Sequence, residues 1–528
     1  MSKVDSILDK YSAKVYKNRK KHILALENET DEIDANRRTM PGMLTHRGCC
    51  YAGCKGVVLG PIKDIVLLTH GPIGCGYYSW GTRRNKAIPK EGEGNFIQYC
   101  FSTNLGDSDI VFGGEKKLKA AIKEIVEIFN PKAIFICSTC PVGLIGDDLP
   151  AVAVEAKAMY GIEVISFACE GYKGVSQSAG HHIGNNKIIK EIIGTQDYTP
   201  KKPSINILGE YNIGGDSWEI ERVLKLIGYE IISVMTGNGS IDDMSKAHNA
   251  DLNIVQCHRS INYIAEMMKI QYGTAWLKVN FIGVDGIVKA LRDMAKFFND
   301  PAITARTEEV IAEELEDIKA DMEYYKSKLT GKTAALYVGG SRAHHYQMLL
   351  SDLGVETVLA GFEFAHRDDY EGREVIPTIV EDADLKNIEV IEVEKVEGKY
   401  KEFKSAEELE ELKKTMVDLE NYEGMMPDMI KGSIVVDDLN EFEQEQFIKA
   451  LKPDIFFTGI KDKYTIQKGG TLSRQLHSYD YSGPYAGFKG AVNFARDVTM
   501  GLYTPAWGFT VAPWKTESIL EGTFGGEA

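Results

Sequence analysis

The chain lacks any uninterrupted apolar run of membrane-spanning length, and its opening MSKVDSILDKYSAKVYKNRKKH has no apolar core such as a secretory signal carries. A cytoplasmic protein with no membrane partner is therefore expected. Positive charge is also short. Lys and Arg number 61 against 77 Asp and Glu, a formal net charge of -16, which disfavours nucleic acid as a partner because that binding needs basic patches that release counterions. The nine cysteines are an odd number; in a long chain of this character they argue against a disulfide framework and for metal or redox chemistry. An intact phosphate loop is missing too. Gly331-Lys332-Thr333 resembles the end of one, but Lys326 stands where its upstream glycine belongs, and the tripeptide precedes a strand instead of opening a helix.

What is present is an alternation of strand and helix. Glu115 to Phe129 is amphipathic and hands over to the apolar PKAIFICSTC; IEVISFACEG follows, and beyond a Pro-containing boundary at Gly194 to Ser204 come INILGEY, DSWEIERVLKLIGY, EIISVMTG and DLNIVQCHRS. This βαβ rhythm predicts an α/β fold of mainly parallel sheets covered by helices on both faces. With 528 residues one core is too few, and about three domains are expected: residues 1–200, 201–330 and 331–528. The first forty residues read as a charged arm for surface packing or a subunit contact. From Arg373 to Gly432 charge dominates apart from one helix around Ala406 to Met416, which reads as a surface insertion, 373–432.

The chemistry concentrates in His46 to Arg84, HRGCCYAGCKGVVLGPIKDIVLLTHGPIGCGYYSWGTRR. Cys49, Cys50, Cys54 and Cys75 stand beside Gly, Ala or Tyr, which places the thiols at the ends of elements, where backbone can approach a bulky group. A free cysteine is usually a small buried hydrophobe; the Arg-Gly-Cys and Gly-Pro-Ile-Gly-Cys contexts make that reading less attractive for Cys49 and Cys75. Cys137 and Cys140 form a C-x-x-C, but no second one exists to complete a zinc ribbon, and Pro141 follows directly where a redox pair would open its helix. A ligand at the carboxyl end of a strand fits better, and Cys257 ends another strand. Gln177, His181 and His182 lie at a turn and helix entrance. Gly339-Gly340-Ser341-Arg342 offers close backbone approach and a positive charge for an anion, and His477 sits on a polar, aromatic, glycine-rich loop.

From Pro41 onward the chain resembles the α-chain family of nitrogenase molybdenum-iron proteins. RGCCYAGCKGVV, HGPIGCG, TCPVGLIGDD, EGYKGVSQSAGHH, GEYNIGGD, QCHRSINYI, FEFAHRDDYEG and QLHSYDYSGPY occur in the family order. The resemblance implies three Rossmann-like domains enclosing a buried metal cofactor, a related β chain completing an α2β2 heterotetramer, and a transient, MgATP-dependent iron protein as electron donor. It implies Cys49, Cys75 and Cys140 as ligands of an 8Fe-7S P-cluster, and Cys257 and His477 as ligands of a 7Fe-Mo-9S-C iron-molybdenum cofactor with homocitrate. It places Gln177 and Lys461 near homocitrate, Val57, Arg83, His181, Arg342 and Phe364 in the cofactor pocket, and the Gly339-Gly340 backbone against the cluster. Cys50, Cys54, Cys100, Cys137 and Cys169 are non-ligands on the same grounds. The activity implied is reduction of dinitrogen to ammonia with hydrogen evolution. Rivals are a vanadium or iron-only α chain, a cofactor-assembly scaffold of the same superfamily, and a plain iron-sulfur carrier. Cys257, His477, Gln177 and His181 together argue against the last two.

Overall fold

Three separate sheets carry the fold in a computed structural model that describes residues 3–27, 31–35, 42, 46–81, 85–174, 176–201, 203–340, 342–365, 369–370, 407, 424–459 and 462–504. The strands in chain order are β1 Ile23–Ala25, β2 Ile65–His70, β3 Phe101–Ser102, β4 Ala133–Ser138, β5 Glu163–Phe167, β6 Ser204–Glu210, β7 Glu230–Thr236, β8 Leu252–Val255, β9 Ala275–Lys278, β10 Thr333–Val338, β11 Glu356–Phe362, β12 Ile434–Asp437, β13 Ile455–Thr458 and β14 Leu472–Gln475. They pair as β3-β2-β4-β5, β7-β6-β8-β9 and β1-β12-β11-β10-β13-β14. Every pairing is parallel except β1 with β12. Burial explains the continuous apolar runs: all six residues of β4 are buried, as a strand covered on both faces requires. The helix Glu115–Phe129 turns Leu118, Ile122 and Ile125 inward, one face of a 3.6-residue period.

Register sets up the function. Thr69 pairs with Cys137 and His70 with Ser138, while Cys137 pairs with Phe167, so the loops that follow β2, β4 and β5 leave one carboxyl edge together. In the third sheet Val338 pairs with Phe362, Tyr337 with Thr458, and Thr458 with Gln475, which gathers the loops holding Gly340, Phe364, Gly459 and His477. Open α/β sheets bind ligands at this edge because the loops there can converge.

Three details depart from the sequence reading. The arm is woven into the third sheet: Ile23 pairs with Val436, Val4, Ile7 and Leu8 are buried beside Phe447 and Phe456, and Arg19 forms a buried ion pair with Glu443 at 2.7 Å. It covers the β12 edge, which would otherwise present unpaired backbone groups. Residues 373–406 and 408–423 of the expected insertion lie outside the described residues, but Met425, Met426 and Met429 at its end belong to the largest core. Cys54 is not at an element end. It lies inside an eight-residue π-helix, Ala52–Leu59, whose residues from Gly53 onward are buried. Glycine makes this packing possible: a Cβ on Gly53 would stand 1.9 Å from the Gln177 carbonyl oxygen, and one on Gly180 1.9 Å from that of Cys50. Among the described residues no helix is long and apolar enough to cross a membrane.

Candidate metal centres

Cys49 precedes the π-helix, Cys75 lies in the first turn of the helix Ile73–Gly81, and Cys140 opens the helix Cys140–Ile145. The three come together. A Cβ on Gly171 would meet the Cys140 Sγ at 3.0 Å and the Cys49 Sγ at 3.4 Å. Burial raises the Cys75 thiol pKa, and charge on Cys49 and Cys140 raises it further, as like charges in reach of one another do. The site faces outward: Cys49 and Cys75 are exposed and Cys140 half-buried, beside exposed Ile73, Tyr77 and Tyr78. Among the described residues no group of His, Cys, Asp or Glu converges as a single-ion site. A soft, all-sulfur donor set packed against Gly171 instead suits an iron-sulfur cluster. Cys50 is different. It is fully buried and its thiol is pushed up to about 12, first by burial. Cys54, Cys137 and Cys169 hydrogen-bond one another in the core behind it.

The second site is closed. Cys257 follows β8 and is 5% exposed; His477 follows β14 and is 8% exposed. Gly209, at φ +77°, lets the Cys257 loop pass, since a Cβ there would be 2.8 Å from the Cys257 nitrogen. Gly340, at φ +60°, faces the sulfur, its absent Cβ 3.2 Å from Cys257 Sγ and 3.6 Å from Phe364. The Phe364 ring meets His181 edge-on at 5.2 Å. One residue earlier in the chain, Glu363 lies 4.0 Å from His477 Nδ1, and a Cβ on Gly459 would meet both side chains. Gln177 spans the two sites: its Oε1 lies 2.5 Å from where Gly48 would carry a Cβ, and its Nε2 3.3 Å from that point on Gly339. Val57 is buried in the π-helix and shares a core with Cys257 and Val338. Cys257 and His477 each stand beside a glycine, Gly340 and Gly459, and a sulfur with an imidazole suits a metal group of more than one hardness.

Arg342 sits deeper in a buried network. Its Nη2 donates to Glu210 at 3.0 Å and its Nη1 to the Tyr479 hydroxyl at 2.8 Å, with Asp216 at 3.4 Å, while Nε has no partner among the described residues. Glu210 also accepts from the Tyr211 and Asn212 amides. Burial pushes its pKa up to about 7 against the pull of Arg342. Glu210, Asp216, Glu363, Gly171 and Gly459 were not singled out by sequence; Glu210 lay within the quoted GEYNIGGD, where a buried acid beside a lone arginine has no local signature. Arg83, Lys461 and Ser341 lie outside the described residues.

The family model described as nitrogenase component 1 type oxidoreductase matches residues 49–503. The nitrogenase molybdenum-iron protein alpha chain of Clostridium pasteurianum is 59% identical over 99% of both chains, and that of Methanosarcina barkeri is 54% identical over 98% of this chain and 97% of the relative. The solved structure of nitrogenase Cp1 at pH 6.5 superimposes with a TM-score of 0.92 at 59% identity, covering 97% of this chain and all of that one. The chain belongs to the nitrogenase component 1 type oxidoreductases.

Proposed function

We propose that the chain works as the catalytic α subunit of a molybdenum nitrogenase, reducing dinitrogen to ammonia with hydrogen evolution. The observation that carries this reading is the pair of sites joined by Gln177: one open and all-sulfur, the other closed and holding a cysteine and a histidine. Cys49, Cys75 and Cys140 would hold an 8Fe-7S P-cluster shared with a β chain in an α2β2 heterotetramer, since three outward thiols leave room for a partner's ligands. Cys257 and His477 would hold the iron-molybdenum cofactor with homocitrate. When bound, these groups supply electron storage and the reducing centre; an ATP-hydrolysing iron protein delivers the electrons.

The chain's own residues bind, orient and exclude. Gly339 and Gly340 admit backbone where a side chain would collide. Arg342, with both terminal nitrogens committed, has Nε left for an anionic ligand, and Gln177 and Lys461 serve the homocitrate end. Arg83, Phe364 and Val57 shape the pocket. His181, held edge-on by Phe364, donates a hydrogen bond or proton, a role suited to imidazole because its ordinary titration lies near neutrality. We read 1–200, 201–330 and 331–528 as three domains, a reading supported by the sheets β2–β5, β6–β9 and β10–β14, the last of which also takes β1 of the arm. Co-purification with the β chain followed by iron, molybdenum and vanadium analysis and an acetylene and dinitrogen reduction assay tests the reading. Molybdenum with both activities is expected; vanadium, or metal without activity, would overturn it.

A further inference from the structure

Lys55, in the π-helix, is 5% exposed. Its Nζ donates to Ser79 Oγ at 3.0 Å, and that hydroxyl donates to the Cys75 carbonyl at 2.7 Å, with the Gly76 carbonyl 3.1 Å away. The ammonium is thus tied to the turn that carries one of the three outward thiols. Among the described residues, none of the groups acting on it is a carboxylate. Lys55 and Ser79 line a cavity of about 560 Å³ whose described lining includes Lys86 but neither Asp nor Glu. The ionisable groups that act on Lys55 are the thiols of Cys137, Cys100 and Cys169. Burial lowers its pKa, and the three thiols act against that lowering. A buried charge without a counter-ion is costly, whereas one facing an anion is retained.

We propose that Lys55 is the buried counter-cation of the three-cysteine site, steadying the Cys75 turn through Ser79 and favouring the more negative state of the cluster held there. The proposal rests on the ligand reading of Cys49, Cys75 and Cys140. Lys55 is a positioning and potential-setting residue, since it reaches the site through Ser79 and not by ligation. The rival role is local: Cys137, held low by hydrogen bonds from Cys169 and Cys54 and by Lys55 despite its burial, would be the lysine's whole purpose.

The test is a redox titration, followed by electron paramagnetic resonance, of the purified αβ complex carrying Lys55→Met, Lys55→Arg or Ser79→Ala, with iron analysis of each. Lys55→Met is expected to keep its iron and shift the reduction equilibrium at least tenfold toward the oxidised form, about 59 mV more negative for one electron. Lys55→Arg should stay near the native midpoint, and Ser79→Ala should shift in the same direction by less. Loss of cluster iron in Lys55→Met but not in Lys55→Arg would also support a required cation. A native midpoint in Lys55→Met at full iron, or equal iron loss in Met and Arg variants, overturns the proposal in favour of a local or packing role. Cys75→Ala is the separate control: full cluster iron there would defeat the ligand reading itself.

Discussion

The open thiol site and the closed pocket are built by opposite means from similar chemistry. Cys49, Cys75 and Cys140 come from one end of the first sheet and its preceding segment, and two of the three are exposed. Cys257 and His477 come from the second and third sheets and are buried, with Gln177 and His181 reaching in from the helix that follows the first. An exposed set of thiols on a single edge leaves one side open to a second protein. The closed site draws residues from all three sheets, and its glycines matter as much as the residues proposed to hold a metal group.

The sharpest break between the two should come from His477→Ala, expected to remove nearly all molybdenum from the purified complex while the iron of the open site remains; elemental analysis checks it. Next in size is Val57→Ile. One added methylene at a buried position overpacks its surroundings by ~1–3 kcal/mol, about one to two decades in rate. Acetylene and dinitrogen reduction should fall by that factor while hydrogen evolution survives, since protons travel along hydrogen-bonded groups; equal loss of both in a gas-evolution assay would end the steric role. Gly171→Ala should act on the open site alone. The new Cβ, 3.0 Å from Cys140 Sγ, displaces that sulfur, and a severalfold loss of the open site's iron with native molybdenum is expected.

The smallest effect is one of pH. The Glu210 carboxyl is raised to about 7 by burial, above its value in the unfolded chain, so its contribution to stability is present below the ordinary carboxylate range and is lost as pH rises through about 7. Between pH ~5 and ~8 the native complex should therefore lose stability from this group as the pH rises, and Glu210→Gln should flatten that slope in calorimetric scans. An unchanged slope would mean that Glu210 stays ionised throughout.

Much of this was legible in the residues. A strand-ending cysteine such as Cys257 or Cys140 announces itself, because an apolar run followed by a turn fixes which sheet edge the thiol occupies. The parallel α/β architecture followed from runs such as AIFICS and from helices such as Glu115–Phe129. What stayed hidden depends on contacts distant in sequence. Nothing local in Ile23–Ala25 says that it will pair with β12, and the Met425–Met429 segment looked like the tail of a charged insertion. Gly171 gives no sign of its sulfur neighbours until β4 and β5 are in register. The glycine-rich AGCKGVVL read as turn residues at the end of an element; its π-helix packs closely because Gly53 and Gly180 let it press against the neighbouring helix.

The central claim is that this chain carries two independent metal sites, one half-built and one complete. Side-by-side iron and molybdenum analysis of Cys75→Ala and Cys257→Ala complexes tests it most directly. Cys257→Ala should lose its molybdenum and keep the open site's iron, and Cys75→Ala should lose iron from the open site while retaining molybdenum. Parallel loss of both metals in both variants, or full retention of molybdenum in Cys257→Ala, would contradict it.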